Sequence, residues 1–228
     1  MARGLFITGT NTEVGKTYVA AAIVRALVAA GKHVGVYKPV ASGCIAKGDQ
    51  LVSEDAHVLW QAAGQPGLLA DVCPQIFEAP LVPHLAARAE GKEIDMEALR
   101  AGLDAWLEYE IVIVEGAGGL MSPLGEDEYV ADLACDFGFP IVVIAANMLG
   151  VINQTLQTLI AATTFRDGLQ VAGVVLNDIS ADDSADISRR SNFEELEHRC
   201  VPPLLAHVRR NDASSLGRVD WFDLACQN

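Results

Sequence analysis

The chain is predicted to fold as a single α/β domain, a mostly parallel sheet with helices on both faces, and three observations predict it. Short Val- and Ile-rich runs alternate with longer segments of helical apolar spacing. The short runs are apolar at nearly every position, the pattern of strands covered on both faces rather than on one. Each run is blunted by Gly, Pro or Asn. With 228 residues, 51% of them hydrophobic, the chain can bury one sizeable core without disulfide or metal staples.

Taken in order, strands are expected at Leu5 to Thr8, His33 to Lys38, Ile111 to Glu115, Ile141 to Ala146 and Val171 to Leu176, each rich in β-branched residues. Helices are expected at Lys16 to Ala30, Ala56 to Ala63, Glu97 to Tyr109, Asn153 to Phe165 and Phe193 to Arg199, with Gly31 and Gly64 as C-terminal stops. Right-handed crossovers then put the functional loops at the carboxyl ends of the strands. No internal repeat or linker interrupts the alternation, and the polar stretch Ser180 to Arg190 reads as a solvated loop leading into a helix.

Charge and cysteine usage exclude several partners. Thirty Asp and Glu against 16 Lys and Arg give a net charge of -14. Nucleic acid and anionic membranes, which are held by clustered cations, are therefore not expected partners. The five cysteines, Cys44, Cys73, Cys135, Cys200 and Cys226, are widely separated and never form a C-x-x-C pair, which points to a reducing compartment. The N-terminus lacks the apolar stretch of a signal peptide, and the longest apolar run, Ile141 to Ala146, is too short to span a bilayer. The expected location is cytoplasmic.

The sharpest motif follows the first strand: Gly9-Thr10-Asn11-Thr12-Glu13-Val14-Gly15-Lys16-Thr17, then an Ala-rich helix. Backbone N–H groups and a helix N-terminus suit phosphate oxygens, Lys16 can reach the outer phosphates and Thr17 can reach Mg2+. Five residues, not four, separate the two glycines, so Thr10 stands where the strict phosphate-loop pattern has Gly. A G-x-G-x-x-G dinucleotide fingerprint is absent. The domain is thus expected to be of the P-loop nucleotide-hydrolase type.

Other polar residues fall at strand ends. Lys38 closes the second strand, where Pro39 fixes the chain so that the ammonium can point into the crevice. Glu115 ends an apolar strand and precedes Gly116, Gly118 and Gly119, which allow close backbone approach. Such a carboxylate can hold a cation at the phosphates. Asp55 lies where a helix begins, and a favourable interaction with the helix dipole explains it as well as a metal does. Asn177 closes the fifth strand and suits either a purine edge or a turn.

Gly9 to Thr17, together with Tyr37-Lys38-Pro39-Val40-Ala41-Ser42-Gly43, Val114-Glu115-Gly116-Ala117-Gly118-Gly119 and Leu149-Gly150-Val151-Ile152-Asn153, resembles the dethiobiotin synthetase family. The likeness runs to about Asn177 and thins beyond Ser180. It implies ATP-dependent closure of a cyclic urea from 7,8-diaminononanoate and CO2, through a carbamate and its phosphoric anhydride. By the same resemblance Lys16 and Lys38 are catalytic, and Thr17, Asp55 and Glu115 share Mg2+. The implied nucleotide contacts are Glu13, Val14, Gly15, Lys16, Thr17, Tyr18, Asp55, Glu115, Gly116, Ala117, Gly118, Asn177 and Asp178. Val208, Arg209 and Arg210 complete that set, although the family's G-x-I-P segment is poorly kept at Ala206 to Arg209. The implied substrate contacts are Thr12, Lys38, Ser42, Leu149, Gly150, Val151 and Asn153, the last four offered by the partner chain of a homodimer. Pro80, Pro83 and His84 also resemble the family, although His84 reads equally as a helix-start residue.

Two rivals stay in view. A partitioning or assembly ATPase has a related fold but carries a second Lys early in its phosphate loop, and Thr10 to Glu13 contain none. An amidoligase of the cobyrinate type normally adds a glutaminase domain, for which this chain has no room.

Overall fold

The computed structural model describes residues 3–48, 50–180 and 186–226. Its strands are β1 Gly4–Gly9, β2 Val34–Tyr37, β3 Val40–Ala41, β4 Ile45–Lys47, β5 Gln50–Val52, β6 Gln75–Ile76, β7 Ile111–Glu115, β8 Ile141–Ala146, β9 Val171–Asn177 and β10 Leu204–Val208. Its α-helices are α1 Lys16–Ala29, α2 Glu54–Ala62, α3 Leu69–Val72, α4 Pro83–Ala89, α5 Met96–Ala101, α6 Val130–Phe137, α7 Val151–Thr164, α8 Asn192–Arg199 and α9 Trp221–Leu224. Six strands form the main sheet in the order β10-β9-β8-β1-β7-β2, every neighbouring pair parallel.

The unbroken apolar runs are explained by this arrangement. β1, β2, β7 and β8 are buried at every position, which requires cover on both faces of the sheet. Part of that cover comes from α1, which turns Val19, Ala20, Ile23, Val24 and Leu27 inward. The C-terminal ends of β1, β2, β7 and β9 then deliver Gly9, Lys38, Glu115 and Asn177 to one edge of the sheet.

Some of the differences from the expected elements have local causes. The helix expected through Tyr109 is α only over Met96–Ala101 and tightens to a 3-10 turn over Gly102–Trp106. Tyr37 Oη donates to the Leu99 carbonyl at 2.8 Å, and a Cβ on Gly102 would lie 2.3 Å from that hydroxyl, so this turn is shaped around the tyrosine. β10 is an additional strand that follows Pro202 and Pro203 and is only partly buried, an edge strand that reads as loop in sequence. α4 and α6 are short additions, α4 with Pro83 in its first turn and α6 with Asp132 accepting from the Tyr129 N–H at 2.8 Å. The stretch Ser180 to Arg190 ends in a 3-10 turn at Ile187–Arg190 that leads into α8, while its 181–185 portion lies outside the described residues.

α2 carries Asp55 toward the crevice, and its start is fixed by Ser53, whose side chain accepts from the Ala56 N–H at 3.2 Å. Replacing that cap by Ala is expected to cost about 1 kcal/mol. For a domain of this size the melting temperature should fall by about 2–4 °C in thermal denaturation. An unchanged melting temperature would show that the cap contributes nothing to the fold.

Candidate active site

The phosphate loop crosses from β1 into α1 through two left-handed residues, Glu13 at φ 58° and Gly15 at φ 85°. Gly15 is needed for space as well as for conformation, since a Cβ there would lie 2.2 Å from Asn177 Nδ2. The Thr10 N–H is anchored on the Ile144 carbonyl at 2.9 Å, so the loop is pinned to β8 at the residue that stands in the first glycine position. Lys16 folds back to donate to the Asn11 carbonyl at 3.2 Å. α1 has no side-chain cap, which leaves its N-terminal N–H groups facing the loop.

Below the loop, Lys38 is buried at 3% exposure between two carboxylates. Its Nζ donates to Glu115 Oε1 at 2.6 Å and lies 3.2 Å from Asp55 Oδ2. Thr17 Oγ1 donates to the same Glu115 oxygen at 2.9 Å. Burial alone would lower the Lys38 pKa, but the charges of Glu115 and Asp55 more than reverse that and hold it above the ordinary lysine value. Lys16 is pushed the other way, down to about 8, by burial and then by the positive charge of Lys38. The Lys38 charge holds the Asp55 carboxyl below its usual range.

Glu115 is fully buried, and its second oxygen, Oε2, has no hydrogen-bond partner among the described residues. An orphaned carboxylate oxygen beside Asp55 and the Thr17 hydroxyl is an all-oxygen donor set, which suits a hard divalent cation such as Mg2+. It does not form a dedicated cage: among the described residues no cluster of three His, Cys, Asp or Glu is placed to hold a metal. Phosphate oxygens and water would have to complete the shell.

These groups open on a cleft of about 620 Å3. Thr12, Glu13, Gly15, Lys16 and Thr17 of the phosphate loop line it together with Lys38, Ser42 and Asp55. Glu115, Ala117 and Gly118 also line it, and Pro80, Leu81, Val82 and Pro83 supply apolar lining. Ser122, which the sequence reading did not single out, also lines the cleft; its Oγ accepts from the Gly119 N–H at 2.8 Å. Its position three residues past the glycine run was the available signal. His84 sits outside this cleft, with Nδ1 3.3 Å from the Pro123 carbonyl.

The remaining expected residues divide by position. Asn177 Nδ2 donates to the Val14 carbonyl at 2.9 Å, which commits its amino group to the phosphate loop and leaves its oxygen as an acceptor. Gly116 accepts from Lys38 through its carbonyl at 3.4 Å, and Tyr18 is partly exposed on α1. Asp178 points into a polar cluster with Asn147 and His207 rather than into the cleft. Burial raises its carboxyl pKa, but the hydrogen bonds from His207 and Asn147 and the charges of His207 and Arg189 outweigh that and leave it below the usual value. Val208 is buried, Arg209 lines a separate cavity beside β10, and Arg210 donates to the Ile179 carbonyl.

Leu149, Gly150, Val151 and Asn153 are not brought to the cleft of their own chain. They begin α7, where Gly150 takes φ 93° and Leu149 is 75% exposed. The N–H groups there are not all available to an anion: Leu149 N–H donates to Asp186 Oδ2 at 2.8 Å and Val151 N–H to the Met148 carbonyl at 3.1 Å. Cys44 and Cys73 are buried near Lys38, and burial pushes both thiols up, away from nucleophilic thiolate.

Comparison with known proteins accords with this geometry. The sequence profile of a family described as an AAA domain matches residues 3–216. An ATP-dependent dethiobiotin synthetase of Rhodopirellula baltica is 43% identical over 222 residues, 92% of this chain and 85% of its own. The dethiobiotin synthetase of Bacillus subtilis strain 168 is 38% identical over 89% of this chain and 85% of its own length. Among solved structures, a ParA family ATPase from Chlorobium tepidum aligns with a TM-score of 0.53 at 13% identity, covering 99% of this chain and 96% of its own. The hydrogenase maturation factor HypB of Archaeoglobus fulgidus aligns with a TM-score of 0.53 at 14% identity, covering 97% and 87%. Those two share the fold alone. The extent and identity of the sequence matches place the chain in the dethiobiotin synthetase family.

Proposed function

We propose that this chain is an ATP-dependent cyclo-ligase that converts 7,8-diaminononanoate and CO2 to dethiobiotin, releasing ADP and phosphate, with the described chain working as one ATP-binding domain. The observation that carries the reading is Lys38, buried on Glu115 and Asp55 in a cleft that the phosphate loop also lines. One amine of the substrate attacks CO2 and loses a proton to give a carbamate. A carbamate oxygen then takes the γ-phosphoryl group from ATP. The second amine attacks the carbonyl carbon and expels phosphate, closing the ring. Lys16 and Lys38 stabilise the charge on the carbamate and the transferred phosphoryl group, and no covalent enzyme nucleophile is needed.

Thr17, Asp55 and Glu115 would hold Mg2+, which when bound neutralises phosphate charge. Glu13 to Tyr18 cradle the phosphates, and Asn177, whose amino group is held by the phosphate loop, keeps its oxygen to accept from the exocyclic amine of adenine. Ser42 and Thr12 contact the diamine, and the apolar side formed by Pro80 to Pro83 suits its alkyl chain. Five free thiols among the described residues fit a reducing cytoplasm. Among them no helix is long and apolar enough to cross a membrane. A partitioning-type switch has only fold likeness behind it.

The direct test is mass spectrometry of products after mixing the protein with 7,8-diaminononanoate, bicarbonate and Mg-ATP. Dethiobiotin should form, excess chelator should stop it, and Lys38→Gln should lower turnover by about two to four powers of ten. Near-normal turnover in that variant would remove Lys38 from the mechanism.

Lys16 makes ATP binding pH-dependent. Its pKa near 8 in the nucleotide-free chain means that the ammonium, the form that attracts phosphate, is lost as pH rises through that value. ATP affinity should therefore fall by roughly tenfold between pH 7 and 9, with proton uptake on binding at the upper end. Calorimetry in buffers of different ionisation enthalpy reads both. A flat affinity across that range contradicts the assignment.

The active unit is a homodimer in which the start of α7 from one chain holds the substrate carboxylate of the other. Gly150→Val forces a β-branched residue into left-handed backbone and should disable that start, although no atom crowds the position. Mixing it with Lys38→Gln chains should restore about a quarter of wild-type activity, since half of the randomly reassorted dimers regain one complete site. A mixture no more active than the mean of its two components would refute the shared site.

A further inference from the structure

Behind the carboxyl ends of β8, β9 and β10 lies a buried polar cluster that this chemistry does not use. A single oxygen, Asp178 Oδ1, accepts from Asn147 Nδ2 at 2.7 Å and from His207 Nε2 at 2.9 Å, with Arg189 Nη2 at 3.5 Å. An ionised carboxylate only accepts, so His207 must carry hydrogen on Nε2. Asn147 Oδ1 accepts in turn from Asn192 Nδ2 at 2.9 Å, and the same amide reaches the Met148 carbonyl at 3.2 Å. Asn147 and Asn192 are 3% and 2% exposed. A satisfied polar network at such depth holds its members in one arrangement, because any other leaves a buried donor or acceptor unpaired.

What this network holds is the chain after Asn147. Met148, Leu149 and Gly150 lead directly into α7, and Asp186 grips the Leu149 N–H from the other side. Asp178, the central acceptor, lies at the end of β9 and faces away from the phosphate cleft. We propose that Asp178, acting through Asn147 and Asn192, is a positioning residue for the start of α7, and so governs binding of the acid end of the diamine rather than of ATP. This rests on the reading that the α7 start anchors the substrate carboxylate.

The test compares two substrates, 7,8-diaminononanoate and the same diamine without its carboxyl group, in the full-length enzyme. Wild type should show a clearly lower KM for the acid. Asn147→Ala should raise the KM for the acid by about tenfold, while the KM for the decarboxylated diamine and the Kd for ATP stay within about twofold. Asp178→Ala should do the same, and Asp178→Asn, which keeps an accepting oxygen, should recover most of the loss. If wild type does not distinguish the two diamines, the carboxylate anchor is wrong and the proposal falls with it. If wild type distinguishes them and Asn147→Ala does so equally well, the anchor stands and the positioning role is overturned. Asn192→Ala serves as a second variant: parallel losses of ATP binding, melting temperature and both KM values in both Asn variants would mark the cluster as structural only, and would also overturn it.

Discussion

The ion pair between Lys38 and Glu115 is the constraint around which the site is assembled. Two charges taken out of water cost on the order of several kcal/mol each, and their mutual attraction returns that only when further polar groups satisfy them. Here the further groups are Asp55 and Thr17, one on the start of α2 and one in the first turn of α1. β2, β7, α1 and α2 therefore meet through one cluster of side chains. With Lys16 and Glu13 also in the lining, two positive and three negative charges share the cleft. In the proposed reaction such a pocket would offer its lysines to a polyphosphate and its carboxylates to a cation.

The sheet order makes this possible. β1 lies at the centre, flanked by β7 and β8, so the phosphate loop sits between the strand that ends in Glu115 and the strand that anchors Thr10. Asn177 reaches back from β9 to the Val14 carbonyl. The phosphate loop and the end of β9 are thereby joined by one hydrogen bond, which helps set the loop conformation.

Much of this was legible in the sequence because strand ends are marked by abrupt changes of residue type. Lys38 and Glu115 each terminate an apolar run, and Gly15-Lys16-Thr17 opens a helix without a cap, so three of the four corners could be named from pattern alone. Distances could not: nothing in the spacing says that Lys38 and Glu115 touch at 2.6 Å, or that Asp178 turns from the cleft toward Asn147 and His207. β10 was hidden because an edge strand behind two prolines lacks the doubly covered apolar signature. The break in the helix after Ala101 was hidden because its cause is Tyr37, some sixty residues earlier.

The position of β1 has a consequence for how the chain is made. Both of its sheet neighbours lie beyond residue 110, and β2 pairs in this sheet with β7, so roughly a hundred residues after β1, and about seventy after β2, emerge from the ribosome before these strands can find a partner. At ordinary synthesis rates that interval is about 5–20 s. Throughout it, two segments that end up buried at every position have no sheet to join. Parallel pairing over such a sequence separation is intrinsically slow, so β1 and β2 enter the sheet only once Ile111–Glu115 is available between them.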